Sequence, residues 1–319
     1  VSDPLAHLAF ALAAGNGTVD GHSSRTLVAA GLAILQRGAA VVRALHGRRS
    51  AVVLPPGAGW VAAMAASEGR AAVLIDPALP PTSINAALRA HDVGVVLTTQ
   101  ALAPRLARGT PHLLLDEVPR QATWHAGDGT SRPLGLESHD GLQLEGDSAV
   151  EGSAEEVWRL VHVDGTAHAM THRDVLGGAR AVVAELRLAA RDHVLLLDGG
   201  VSTEAIVYGV VAPLLGGARV TTGDSLDRRS LAGGASDAMA ELAALEDEGV
   251  SLLVARAARY ELLLAALAHR GAPLDAPVLQ HCIATGGPTP DLGALAERWR
   301  DATGVPLLQR RPHGPAGVA

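Results

Sequence analysis

Leu160-Val161-His162-Val163-Asp164-Gly165-Thr166-Ala167-His168-Ala169-Met170-Thr171-His172-Arg173-Asp174-Val175-Leu176 is the stretch whose reading decides the fold. The apolar run Val157 to Val163 has the length and side chains of a buried strand. Asp164-Gly165-Thr166 is a turn. Thr171-His172 opens a helix, with Thr171 as its N-cap, and the helix runs over Asp174 to Leu188. Strand, tight turn and helix make one βα unit, and the same unit recurs on both sides.

Upstream, Leu27, Leu32, Leu35, Val41, Val42 and Leu45 recur at helical spacing over residues 26–45. A strand over Ala51 to Leu54 ends at Pro55-Pro56-Gly57, and a helix of small residues covers Trp60 to Ser67. A second strand, Ala71 to Ile75, closes at Asp76-Pro77. A helix over Ser83 to Ala90 and strands over Val93 to Leu97 and Leu113 to Leu115 follow. From Arg120 to Glu155 Gly, Ser, Asp and Glu dominate without a period, which predicts an irregular connector. Downstream, strands are expected over His193 to Leu197, Arg219 to Thr222, Ser251 to Val254, Val278 to Ala284 and Val305 to Leu308. Helices are expected over Glu204 to Leu215, Ala238 to Glu248, Arg259 to His269 and Leu292 to Ala302. Strands alternating with helices predict an α/β fold of two packed lobes, each a mostly parallel sheet flanked by helices. The lobes are expected at residues 1–125 and 156–319, with the connector at 126–155.

Composition narrows the function. With 48% hydrophobic residues in 319, a large core is assured, but aromatics are only 2%. Few rings are left for base stacking, and a net charge of −7 opposes a polyanionic partner, so no nucleic-acid role is expected. All 26 basic residues are arginine, which removes any Schiff-base, phosphate-loop or general-base lysine. One cysteine, Cys282, excludes an internal disulfide and a cysteine metal cluster. No apolar run reaches membrane-spanning length and no basic signal-peptide start is present, so a soluble cytoplasmic protein is the expectation.

The order of elements resembles the N-terminal domain of the adenylate-forming superfamily, which includes acyl-CoA synthetases, acyl-AMP ligases and nonribosomal-peptide adenylation domains. Ala72-Val73-Leu74-Ile75-Asp76-Pro77-Ala78-Leu79-Pro80-Pro81 is similar to the family's "GAVVVPLDPALPP", and Thr171-His172-Arg173-Asp174-Val175-Leu176 to "THRNLL". Ala212 to Val220 resembles "PLLAGATVV". Thr285-Gly286-Gly287-Pro288, with Gly304 to Leu308 after it, resembles "SGGAP … GVPLLEGYGMTE". The matches run in order from about residue 20 to 314. The resemblance implies a domain that makes acyl or aminoacyl adenylates from ATP and a carboxylate and passes the acyl group to a thiol. It also implies that Thr285-Gly286-Gly287 line an acyl or nucleotide pocket.

The chain departs from that pattern in four places. The family loop "TSGTTGxPKG" is shortened to Val163-Asp164-Gly165-Thr166, with only Ala167 to Met170 before Thr171. About five residues of it are gone, including the Pro-Lys. Asp164 stands where phosphate would sit. Two unit charges about 4 Å apart repel by roughly 4 kcal/mol at an effective dielectric near 20, which is about three decades of ATP affinity. Arg310-Arg311-Pro312-His313-Gly314-Pro315 replaces "GYGMTE", losing the ring that stacks on adenine. Asp198-Gly199-Gly200 stands where an aromatic segment is usual. The sequence also ends before the family's ribose-binding Asp, hinge and mobile C-terminal domain.

The resulting expectation is a catalytically degenerate adenylation-like domain, with no cofactor and with ATP and magnesium binding lost. It would act as a structural or interaction module beside a carrier protein or a neighbouring synthase domain in a polyketide or nonribosomal-peptide type pathway. Two alternatives stay open: ATP-independent chemistry on an acyl or polyketide substrate, and a residual ligase. The candidate catalytic residues are His172 and Asp198. The candidate pocket residues are Asp164, Gly165, Thr166, Thr171, Asp198, Thr285, Gly286 and Gly287. Asp198 follows a buried strand at its C-terminal end, where α/β sheets bind ligands. His162, His168 and His172 are close in sequence, and His168 and His172 are placed on one helical face. A helix-capping or hydrogen-bonded histidine is weighed there against a metal ligand, and no metal site is expected. Cys282 reads as core, and Arg310 and Arg311 as either a phosphate or pantetheine contact or a solvated tail.

Overall fold

The computed structural model describes residues 8–43, 49–67, 72–115, 121–135, 156–161, 167–199, 201–230, 237–286 and 291–309. The chain forms two compact units, residues 1–15 with 22–177 and residues 16–21 with 178–319.

The first unit is built on an eight-stranded sheet. Its strands lie in the order Ala167–Thr171, Glu156–Val161, Ala72–Ile75, Arg49–Val52, Val93–Thr98, His112–Leu115, Gln121–His125 and Ser131–Gly135. The five strands from Glu156–Val161 to His112–Leu115 are mutually parallel, and antiparallel strands close both ends. Ala72–Ile75 is buried along its whole length, as expected of a parallel strand covered on both faces. Ala51, Val73, Ile75, Ile84, Leu88, Val96 and Val161 form one core cluster. Helices Ser24–Arg43 and Ala58–Ala66 pack very closely. A Cβ on Gly31 would lie 2.3 Å from the Ala62 carbonyl oxygen, so only glycine permits that approach.

In the second unit six strands pair side by side, all parallel. Their order is Leu307–Gln309, His281–Thr285, Leu252–Arg256, His193–Leu196, Arg219–Thr222 and Thr18–Val19. Its core gathers Leu195, Leu253, Ala255, Tyr260, Leu263, Cys282, Ala284 and Trp299. Tyr260 is wholly buried, and its hydroxyl lies 3.0 Å from the Leu253 carbonyl and 3.1 Å from that of Ile283. Its ring meets Trp299 edge to face at 4.8 Å. Burial first, then the nearby Cys282, pushes the Tyr260 phenol well above its ordinary range. Tyr260 thus remains a neutral donor that ties two strands together.

Several features depart from the sequence expectations. Residues 121–135, read as the start of an irregular stretch, form the hairpin Gln121–His125 and Ser131–Gly135, turned at Ala126 to Thr130. Only Ala122 and Leu134 of the described hairpin side chains are buried, and Arg132-Pro133 and the polar turn leave no apolar period in the sequence. The strand at 156–161, assigned to the second lobe, belongs to the sheet of the first unit, and the unit boundary falls after Gly177. Ala167–Thr171 is a strand, where no strand was expected between the Asp164-Gly165-Thr166 turn and the helix. Helices Leu8–Ala14 and Gly223–Ser230 were not anticipated. The first is too short for a period to show, and the second, Gly-Asp-Ser-Leu-Asp-Arg-Arg-Ser, carries a single apolar residue. The run Thr203 to Gly216 is helical as expected but contains a π-turn at Val207–Val211.

Candidate functional site

Parallel strands in register bring their C-terminal ends to one edge of the sheet, where α/β folds hold ligands. In the second unit Leu196 aligns with Val254, and Arg256 aligns with Thr285. Asp198, two residues past Leu196, therefore falls level with Arg256 and Thr285. The side chains meet as this row requires. The Arg256 Nε lies 2.7 Å from Asp198 Oδ1, and the Thr285 hydroxyl donates to Asp198 Oδ2. Asp198 is 2% exposed and Thr285 also 2%, whereas the Arg256 side chain is 43% exposed. A carboxylate this buried is tolerated because both its oxygens are engaged, one by a cation.

Gly286 follows Thr285 with φ +95°, and a Cβ there would sit 3.7 Å from Arg256 Cγ. The turn after the strand needs glycine, and the backbone then runs beside the arginine stem. Asp198, Thr285 and Gly286, three of the pocket candidates named from the sequence, are thus brought together. Arg256 was not singled out. Its signal was positional: the last residue of a buried strand, directly before the helix Ala257–Arg270. Chemically the row fixes a guanidinium at the sheet edge. Asp198 is engaged at both oxygens and does not stand as an unoccupied base.

In the first unit the candidates have structural partners. Thr171 and Asp174 form a reciprocal cap. The Thr171 hydroxyl donates to Asp174 Oδ2 at 2.7 Å and accepts from the Asp174 N–H at 3.1 Å, while the Thr171 N–H donates to Asp174 Oδ2 at 3.2 Å. This is a capping box at the start of the helix His172–Leu186, so Thr171 caps as expected. His172 is 4% exposed and its Nδ1 accepts the Leu8 N–H at 3.2 Å. The imidazole holds the helix Leu8–Ala14 in place. His168 and His172 do not share a helical face: His168 lies exposed on the strand Ala167–Thr171, and His172 is buried in the first turn of the helix.

That strand pairs antiparallel with Glu156–Val161, Ala167 facing Val161. Residues 162–166 are all that connects them. Asp164, Gly165 and Thr166, and with them His162, Gly287, Arg310 and Arg311, lie outside the described residues. Cys282 is buried, and its thiol is pushed up to about 12 by burial, partly offset by the Trp299 indole. It belongs to the core, as the sequence implied. Among the described residues no three His, Cys, Asp or Glu side chains gather as a metal site, and no helix is long and apolar enough to cross a membrane.

No protein-family model and no curated protein matches the sequence. Solved structures do. The nonribosomal peptide synthetase FmoA3, crystallised with AMPPNP, is 20% identical over 98% of this chain and 33% of its own, with a TM-score of 0.67. MatB from Rhodopseudomonas palustris is 15% identical over 96% of this chain and 59% of its own, with a TM-score of 0.60. CmiS6 is 18% identical over 97% of this chain and 72% of its own, with a TM-score of 0.66. The chain thus spans about a third of the first of these and less than two thirds of the second. At such identities the likeness concerns architecture. The chain has the α/β fold of the adenylation domains of nonribosomal peptide synthetases and acyl-CoA synthetase-like enzymes, over part of their length.

Proposed function

We propose that this chain is a degenerate adenylation domain that forms no adenylates itself. In this reading it serves as a structural or interaction module for a carrier protein or a neighbouring synthase domain in a polyketide or nonribosomal-peptide type pathway. The observation that carries the reading is the Val161–Ala167 pairing. It leaves five residues, 162–166, where a phosphate-binding loop of about twice that length would be needed, and one of them is Asp164. The engagement of Thr171 with Asp174, and of His172 with Leu8, supports it further. Calorimetric titration with ATP and magnesium is the test. Silence up to millimolar ATP is expected. Saturable binding in the micromolar range would overturn the reading in favour of a ligase whose arginines replace the missing loop.

A second reading rests on the Asp198–Arg256–Thr285 row. A half-exposed arginine side chain whose buried Nε lies against a buried carboxylate suits the carboxylate of an acyl or polyketide ligand. Chemistry on it would proceed without ATP. Binding of small mono- and dicarboxylates that is lost in Arg256→Met supports it, and identical binding in that variant removes it.

A further inference from the structure

His112 and His125 face each other across the antiparallel strands His112–Leu115 and Gln121–His125. Their rings are stacked, with centroids 4.8 Å apart and planes within 7°. Both residues are partly exposed, His125 on the hairpin at the far edge of the first sheet and His112 on the strand beside it. Ser131, the next residue in the same row, is exposed opposite His125.

The tautomer of one ring is fixed. His112 Nδ1 lies 2.8 Å from the Thr110 carbonyl. A carbonyl only accepts, so Nδ1 carries the hydrogen and Nε2 keeps its lone pair in the neutral ring. An imidazole whose Nδ1–H is anchored on a backbone carbonyl, leaving Nε2 to coordinate, is the arrangement of metal-bound histidines.

The cross-strand pairing sets both imidazoles near one possible ion, with centroids 4.8 Å apart and metal–nitrogen bonds of about 2.0–2.1 Å to be formed. In the stacked arrangement, with planes within 7°, the two in-plane lone pairs do not converge. What must change is orientation. The parallel rings have to splay so that both Nε2 lone pairs converge, and their partial exposure leaves room for that.

The geometry points to a binding site for a divalent transition-metal ion, of the zinc, nickel or copper class, formed by His112 and His125 with water completing the shell. Imidazole suits these ions, and hard oxygen-seeking cations are excluded by the donor set. The site has two protein ligands, consistent with the absence of three-ligand groups among the described residues. It is therefore open and of modest affinity. It lies in the first unit, away in sequence from the Asp198 row, and does not depend on the proposed function.

Untagged protein is titrated with zinc chloride by calorimetry, alongside the His112→Gln, His125→Gln and His269→Gln variants. Micromolar one-to-one binding is expected in the wild type and in His269→Gln, whose replaced histidine is exposed on the helix Ala257–Arg270. At least a tenfold loss is expected in each of the other two. Histidine-ring NMR signals of residues 112 and 125 should shift together on zinc addition, a readout that needs no variant. Equal affinity in His125→Gln, no saturation at millimolar zinc, or shifts confined to other histidines would each overturn the site.

Discussion

Neutralising Arg256 should damage the second unit more than neutralising Asp198, although the two form one ion pair. Arg256→Met keeps the aliphatic stem beside Gly286 but removes the guanidinium from Asp198, which is 2% exposed and keeps its Thr285 contact. Removing one member of a buried pair costs about 3–5 kcal/mol. Asp198→Asn preserves the shape and can still accept from Thr285, while Arg256, with 43% of its side chain exposed, turns to water. That loss is about 1–2 kcal/mol. The double variant buries no charge, so its cost should be roughly 2 kcal/mol rather than the sum, a coupling of about 3 kcal/mol. Two compact units make a single global unfolding energy ambiguous. Hydrogen exchange of peptides covering the strands His193–Leu196, Leu252–Arg256 and His281–Thr285 is therefore the assay, since it reports opening locally. Additive effects, or an Arg256→Met cost below about 1 kcal/mol, would falsify the buried-carboxylate account.

Three further outcomes follow from single contacts. His172→Ala leaves the buried Leu8 N–H without its acceptor and should cost about 1–3 kcal/mol of stability, with exchange rising in the helix Leu8–Ala14; unchanged exchange there would contradict the anchoring role. Glu246 is held below the usual carboxylate range, chiefly by its hydrogen bonds from Arg270. Its contribution is therefore present above the unfolded carboxylate's pKa and lost as pH falls through the lower folded value, so Glu246→Gln should flatten the acid limb of a stability–pH curve, and parallel curves would refute this. Cys282, buried with its thiol pushed up to about 12, should resist a thiol reagent at about pH 8 in the native protein and react on unfolding; rapid native labelling would show that the second core opens.

The parallel cores were legible in the sequence because parallel strands write themselves as unbroken apolar runs such as Ala72 to Ile75. Edge elements were not. The hairpin Gln121–His125 and Ser131–Gly135 pairs on its inner side only, so half its residues are polar and Pro133 breaks the pattern. Asp198 and Thr285 could be named from their places at strand ends. Arg256 could not, because it joins them through strand register, and the paired residues are 58 and 29 positions apart in the chain (Leu196 with Val254, Arg256 with Thr285). The role of His172 likewise depends on a partner 164 residues away.

The residues that carry the resemblance to adenylate-forming enzymes have folding work of their own in this chain. Asp76, 8% exposed, accepts the Ala78 N–H at 2.8 Å, and its carbonyl accepts the Leu79 N–H at 3.1 Å. Arg105 then clamps the same turn by donating to the Pro77 and Leu79 carbonyls at 2.5 and 2.8 Å. Thr171 caps a helix, Gly217 ends one at φ +82°, and Thr285 holds a buried carboxylate. Each would be needed whether or not ATP ever binds. The segments that depart, at 162–166 and beyond Gln309, are those in which the family places phosphate and adenine contacts rather than core. That distribution supports the proposed reading of a scaffold kept without adenylate formation, which the departure at Asp198-Gly199-Gly200 neither adds to nor opposes. A ligase with rebuilt nucleotide contacts needs new donors at that edge instead. ATP titration separates the two, because rebuilt contacts bind and a bare scaffold does not.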